Sequence, residues 1–281
     1  MRLPRASTRA STSCAESSAV KRFIAALALG LAACLAQAAD DPFPGAGEAY
    51  LVKRDGRVLW ARAADRRLPP ASLAKMMTAL LALERGALQE IVTVGPGAAR
   101  AGGARLGLRA GERLRGADLL AATVVRSAND ACRALAEHLA GSAAAFAQRM
   151  NARAAALGMR DTRFADPCGH DRPQQYTSAA DLAVLAEVLM REPEYLRLAR
   201  TPKITLRTVD GRRSFAAANT NALLGRYDGA LGLKTGYTGQ AGNCLVALAE
   251  RNGVRVLVVL LNAPNRWWNA VGLLERAFEA P

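Results

Sequence analysis

The chain has 281 residues, is 51% hydrophobic and carries a formal charge of +14. That apolar fraction excludes a disordered protein, and the length fits one large domain or two small ones. The positive charge would suit an anionic polymer, anionic lipid or nucleic acid. No aromatic-interleaved basic tract or nucleic-acid motif accompanies it, so no nucleic-acid partner is expected.

Lys21-Arg22 precede an apolar run from Phe23 to Leu35, and Ala36-Gln37-Ala38 supplies a small-residue cleavage site. These are the parts of an export signal, so residues 1–38 are expected to be a leader and 39–281 a single domain. The polar stretch before Lys21 is long for such a leader, and translation from Val20 would give a compact one. Leu31-Ala32-Ala33-Cys34 has the shape of a lipoprotein box, which makes a lipid anchor at Cys34 the secondary expectation. The apolar run is shorter than the roughly 20 residues a membrane span needs, so no transmembrane helix is expected in the mature chain.

Glu48–Val52 and Val58–Ala61 flank an Asp55-Gly56 pair, the pattern of a β-hairpin. Pro69-Pro70 then lead into an apolar run that predicts a helix from Ser72 to about Glu84, stopping near Gly86. Ile91–Val94 reads as a strand, and 95–116, rich in Gly and Arg, as loops. Helical spacing covers Asp118–Val125, resumes over Asp130–Leu139, and recurs over Ser142–Leu157 before Gly158. Ser178-Ala179-Ala180-Asp181 is an N-terminal box for a helix ending before Pro193. After Pro202 the pattern changes to strands: 204–208, 214–217, 231–237, 244–249 and 254–261. Trp267–Phe278 is an amphipathic closing helix. This order predicts an α+β fold, an antiparallel sheet built from the first and last strands with helices packed on it.

Only five lysines occur against 33 arginines. Lysine can give up its proton when its surroundings demand it, whereas arginine does not. Lys75 follows Ser72 by three residues, which puts both on one helical face. A serine hydroxyl becomes a useful nucleophile when a neighbouring base accepts its proton. Two further short motifs follow in order, Ser127-x-Asn129 and Lys234-Thr235-Gly236. Each alone is weak: an SxxK can be a solvated helix face, an SxN a turn, and a KTG a strand end. Together, in this order and context, they point to an acyl-transfer site.

The three motifs, with Pro69–Thr78, Leu119-Leu120, Ser127-Ala128-Asn129-Asp130-Ala131, Leu157-Gly158-Met159, Ser178–Leu182, Asn219-Thr220-Asn221 and Gly232–Thr238, resemble the serine D-Ala-D-Ala carboxypeptidases, the low-molecular-mass penicillin-binding proteins. The resemblance implies a β-lactamase/transpeptidase-like serine hydrolase fold and a peptidoglycan stem peptide as substrate. It implies Ser72 as nucleophile, with Lys75, kept neutral by neighbouring cations and partial burial, as its base. Ser127 would relay a proton between Lys75 and the leaving amine, and Asn129 would bond the substrate amide or hold Lys75. Lys234 would stay charged and, with Thr235, bind the substrate carboxylate. Gly236 would let the substrate lie along the strand, and the backbone N–H groups of Ser72 and Tyr237 would form an oxyanion hole. β-Lactams would acylate the same serine, and no metal or cofactor is called for. A crosslink-cleaving endopeptidase would use the same residues. A class A β-lactamase would need a deacylating glutamate, and Glu187, Glu192 and Glu194 lack its loop pattern, while position 128 is Ala rather than Asp. A basic, non-catalytic binding module rests on charge alone.

Where this family often has Gly-Leu-Asp, the chain reads Pro167-Cys168-Gly169-His170-Asp171. The expectation there is a packed or partly exposed loop rather than a thiol site. His138 is read as structural, and Cys132 and Cys244 as core thiols. With three cysteines after the leader, at most one disulfide can form.

Overall fold

The computed structural model describes Met1 and residues 43–280. The chain divides into two units, Met1–Pro42 and Phe43–Pro281. The leader and the Cys34 box lie outside the described residues, so the architecture below is that of the second unit.

Asp55 and Gly56 take φ of 48° and 82°, the positive pair that a tight hairpin turn requires. They fold β1 (Ala49–Arg54) onto β2 (Arg57–Arg62). Strands β3 (Ile91–Thr93) and β4 (Arg113–Arg115) make a small antiparallel pair. So do β5 (Lys203–Arg207) and β6 (Ser214–Ala218), around Asp210-Gly211. Strands β7 (Ala230–Thr238), β8 (Gly242–Arg251) and β9 (Val254–Leu261) complete the main sheet. Its order is β2-β1-β9-β8-β7, antiparallel throughout. The first hairpin therefore joins the last three strands through the β1–β9 ladder, and β7 stands at the edge.

The helices are α1 (Lys75–Glu84), α2 (Pro96–Ala99), α3 (Gly116–Ala121), α4 (Asn129–Ala140), α5 (Ala143–Ala156), α6 (Ala179–Leu189), α7 (Pro193–Ala199) and α8 (Arg266–Glu279). Side chains alternate across a strand, and β8 shows what that does. Leu245, Ala247 and Ala249 pack with Ala270, Leu273, Leu274 and Ala277 of α8. Cys244, Val246 and Leu248 belong to the larger core, shared with α1, α4, α5 and α6. Both faces of β8 are thus covered, which is why its sequence is a continuous apolar run rather than an alternating one. Helix α1 buries Met76, Met77, Ala79, Leu80 and Ala82 around most of its circumference. A helix apolar on all sides is a core helix, and Lys75 at its start is carried into the interior.

The expected helix over 118–125 is divided. α3 stops at Ala121, and a widened π-turn spans Ala122–Arg126. It delivers Ser127 in a left-handed conformation, φ 60°, before α4 begins. Such wide turns mark functional sites often enough to draw attention to this one. Ser178 caps α6 as expected, its hydroxyl accepting from the Asp181 amide at 3.1 Å. Among the described residues no helix is long and apolar enough to cross a membrane.

Candidate active site

Ser72 lies in a short 3₁₀ turn, Ala71–Ala74, just before α1 rather than inside it. The turn starts at Ala71 with φ 47°, an unusual value for a residue carrying a Cβ. Two glycines let other segments close on it. A Cβ on Gly169 would fall 1.8 Å from the Ala71 carbonyl oxygen, and one on Gly236 would press on Ala71 and the Ser72 amide at 3.1 and 3.3 Å. The sequence reading assigned Gly236 to substrate clearance; in the fold it also lets β7 sit against the Ser72 turn.

The Lys75 amine lies 2.9 Å from Ser72 Oγ, 2.6 Å from Asn129 Oδ1 and 2.6 Å from the Cys168 carbonyl. The side chain is 1% exposed. Burial lowers its pKa from 10.5 to about 7, with the negative charge of Asp166 pulling the other way. Of the two expected causes, burial is the one that acts, and neighbouring cations are not: desolvation lowers the value, and the charge that acts on Lys75 is an anion. Of the two contacts expected of Asn129, the one present is with Lys75, whose amine donates to its Oδ1.

Lys234 is likewise buried, its amine donating to Ser127 Oγ at 2.9 Å and to the Thr235 carbonyl at 3.0 Å. Thr235 and Thr220 share a hydroxyl contact of 2.7 Å. Ser127 thus meets Lys234, and no hydrogen bond joins it to Lys75 among the described residues. The pKa of Lys234 is pushed well below its ordinary value by burial, then by the charges of Lys75 and Arg266. A permanently charged Lys234 was expected; in this site it lacks a counter-anion. Arg266 closes the back of the strand, donating to the Gly236 carbonyl at 2.7 Å. Tyr237, the last predicted site residue, is 66% exposed at the outer end of the motif.

The 166–171 segment is where sequence reasoning fell short. It is a loop, as expected, but it forms one wall of the site. Cys132 is not a free core thiol: it is disulfide-bonded to Cys168. That bond ties α4, one turn beyond Asn129, to the loop whose carbonyl receives Lys75. Cys244 remains a buried free thiol, as expected. Thr78 donates to the Pro167 carbonyl at 2.6 Å. Asp166, 4% exposed, accepts from the Cys168 amide and from His170 Nδ1 at 2.8 and 3.0 Å. Asp171 accepts from Thr238 at 2.7 Å. The signal available beforehand was the departure at Pro167–Asp171; what it lacked was a partner, because the partners are 30 to 100 residues away. Of the glutamates weighed for a β-lactamase, Glu187 pairs with Lys53 and Glu194 with Arg197. His138 pairs with Glu90 at 2.6 Å.

Ser72-Lys75, Ser127-Asn129 and Lys234-Thr235-Gly236 therefore converge on one place. The family model described as D-alanyl-D-alanine carboxypeptidase, peptidase S11, matches residues 36–265. The chain belongs to that family. It is 36% identical to D-alanyl-D-alanine carboxypeptidase DacF of Bacillus subtilis over 224 residues, which is 78% of this chain and 57% of the relative. Among solved structures, a D-alanyl-D-alanine carboxypeptidase of Mycobacterium tuberculosis matches with a TM-score of 0.80 at 29% identity, covering 88% of this chain and 96% of that one. Penicillin-binding protein D2 of Listeria monocytogenes, in its ampicillin-bound form, matches with a TM-score of 0.73 at 32% identity, covering 83% and 98%. The chain spans little more than half the length of several of the curated relatives it matches. The fold is that of these serine hydrolases, as the motifs implied.

Proposed function

We propose that this protein is an exported serine D-alanyl-D-alanine carboxypeptidase that removes the terminal D-Ala from peptidoglycan stem peptides. The observation that carries the reading is Ser72 Oγ 2.9 Å from a buried lysine amine whose pKa is lowered to about 7. A neutral amine has two N–H bonds and one lone pair. Its two N–H bonds go to the two carbonyl oxygens, Asn129 Oδ1 and Cys168 O. The lone pair is left facing the Ser72 hydroxyl, which is what a general base requires.

Ser72 Oγ attacks the carbonyl of the penultimate D-Ala as Lys75 takes its proton. The backbone N–H groups of Ser72 and Tyr237 hold the oxyanion. Lys234 and Thr235 receive the terminal carboxylate, and Ser127, whose hydroxyl accepts from Lys234, gives its proton to the leaving amine and is reprotonated by Lys234. Release of D-Ala leaves an acyl-enzyme, which water hydrolyses. Substrate lying along edge strand β7 would use its backbone as a template, the logic of strand addition. The carboxylate and strained amide of a β-lactam fit the same groups and acylate Ser72. Each step uses side chains and backbone of this chain. Residues 1–38 act as the export leader, and 39–281 form the single catalytic domain.

A labelled penicillin is expected to acylate the wild type and not Ser72→Ala; equal labelling of the variant at the same site would remove Ser72 as nucleophile. Incubation with monomeric pentapeptide muropeptide and with crosslinked dimer is expected to release D-Ala from the monomer. Loss of dimer without prior trimming would make the enzyme an endopeptidase. Salt-sensitive binding to cell walls without turnover, unchanged by Ser72→Ala, would make it a binding module. Mass spectrometry of the exported protein should find Ala39 at the amino terminus; a lipid on Cys34 would replace cleavage after Ala38.

A further inference from the structure

Asn129 has two ends, and they are not equivalent to Lys75. Only Oδ1 can accept from the Lys75 amine; the Nδ2 end would present N–H bonds to it. The side-chain amide is therefore useful in one of its two orientations. Two contacts decide which. Nδ2 donates to the Gly102 carbonyl at 2.6 Å and lies 3.1 Å from His170 Nε2. For the second contact to be a hydrogen bond, Nε2 must be the unprotonated nitrogen of the ring. The other nitrogen, Nδ1, lies 3.0 Å from Asp166 Oδ1. Asp166 also accepts the amides of Cys168 and His170, at 2.8 and 3.2 Å. Burial alone would raise its pKa, but the His170 ring and those amides outweigh it and bring it to about 2. Asp166 is thus a carboxylate that accepts from Nδ1–H, which leaves a lone pair on Nε2.

We infer that Asp166 and His170 are a positioning pair that locks the Asn129 amide with Oδ1 toward Lys75. The inference rests on the proposed function, because Lys75 is taken as the base. Without an acceptor at His170, Nδ2 keeps only the Gly102 carbonyl as a partner, and the amide is held from one side. An amide that turns points Nδ2 at Lys75, and the amine then loses an acceptor and the hold on its lone pair. The charged groups around the ring are Asp166 on its own loop, Lys75 beyond Asn129, and Arg100, Arg133 and Arg172 lining the adjoining cleft. Arg133 is paired with Glu137 at 2.8 Å.

The test compares the wild type with His170→Leu, which has no acceptor, and His170→Gln, whose amide oxygen can accept from Asn129 but whose side chain does not titrate. The readout is the second-order rate of Ser72 acylation by a labelled penicillin across pH, with thermal melting alongside. His170→Leu is expected to slow acylation by about tenfold or more, within the roughly hundredfold that a misplaced reacting group costs. His170→Gln is expected to restore most of the rate. If His170→Leu does not fold, the rate of His170→Gln decides alone: a rate near wild type supports the pair, and a tenfold loss overturns it. A wild-type rate and pH profile in His170→Leu would overturn the inference. So would equal impairment of both variants, which is loop packing only. A wild type that takes no label fails the proposed function instead, so the two failures are distinguishable.

Discussion

Lys75 and Lys234 are chemically identical side chains in one buried site, and what surrounds each separates them. Lys75 faces two carbonyl oxygens and a hydroxyl, so it can shed its proton and still satisfy every contact. With a pKa brought down to about 7, its neutral form is lost as pH falls below that value. Acylation by a labelled penicillin is therefore expected to rise with pH through about 7 and level off above it, measured as initial rates; a rate independent of pH from 6 to 8 would remove Lys75 as the base. Lys234 has Ser127 and a backbone carbonyl for partners, with no anion among its hydrogen-bond partners. Two unit charges 4 Å apart interact by about 4 kcal/mol at an effective dielectric of 20, so an arriving carboxylate strongly favours the protonated amine. Binding of a D-Ala-D-Ala peptide to Ser72→Ala should then take up a proton, read by calorimetry in buffers of different ionisation enthalpy. Lys234→Gln is expected to weaken that binding on the order of a hundredfold, toward the low side of the roughly 2–5 kcal/mol lost with one partner of a buried charged pair.

At the scale of elements, the site is a meeting of four segments that have little reason to adjoin locally: the Ser72 turn, the π-turn before α4, the 166–171 loop and edge strand β7. The loop is clamped twice. The Cys132–Cys168 bond closes 36 residues of sequence, and Gly169 fits over the Ala71 carbonyl at a distance no Cβ could occupy. A disulfide over a loop of that length contributes about 2–4 kcal/mol of stability. Cys132→Ser/Cys168→Ser is expected to lower the denaturation midpoint accordingly, and to slow acylation because the Cys168 carbonyl is one of the two acceptors that orient Lys75. Gly169→Ala is expected both to lower the denaturation midpoint and to slow acylation, since the added methyl pushes directly on the backbone of the turn that holds Ser72. A Gly169→Ala enzyme with unchanged acylation would show that the turn yields without cost.

For the whole unit, the sheet is assembled from strands separated by nearly the entire described chain, β1 pairing with β9 across some 200 residues. The helices between them are enclosed by that closure, and α8 seals the far face of the sheet. Leu273, fully buried in that layer, is the position to test: Leu273→Ala is expected to cost about 2–5 kcal/mol, read as a shift in denaturant midpoint. Its Ser72 is on the opposite side of the sheet, so the acylation rate of the folded variant should be unchanged. A parallel loss of rate would mean that the two faces of the sheet are coupled.

The sequence by itself determined the α+β class, most element positions and the three motifs, because periodicity, glycine turns and short-range spacing are local properties that a linear reading carries. Ser72 and Lys75 could be paired from spacing alone, being three residues apart. Distant pairs were a different matter. That Asn129 turns its oxygen to Lys75, that Ser127 meets Lys234, that Cys132 bonds Cys168 and that Asp166 and His170 stand behind Asn129 depend on chain segments brought together only by folding. A neutral Lys75 was implied by the resemblance, but the lowered pKa of Lys234 was beyond a linear reading, since desolvation is set by the packing around each amine and not by its neighbours in sequence. The chain named its reactive groups; the tertiary structure decided which way each of them faces.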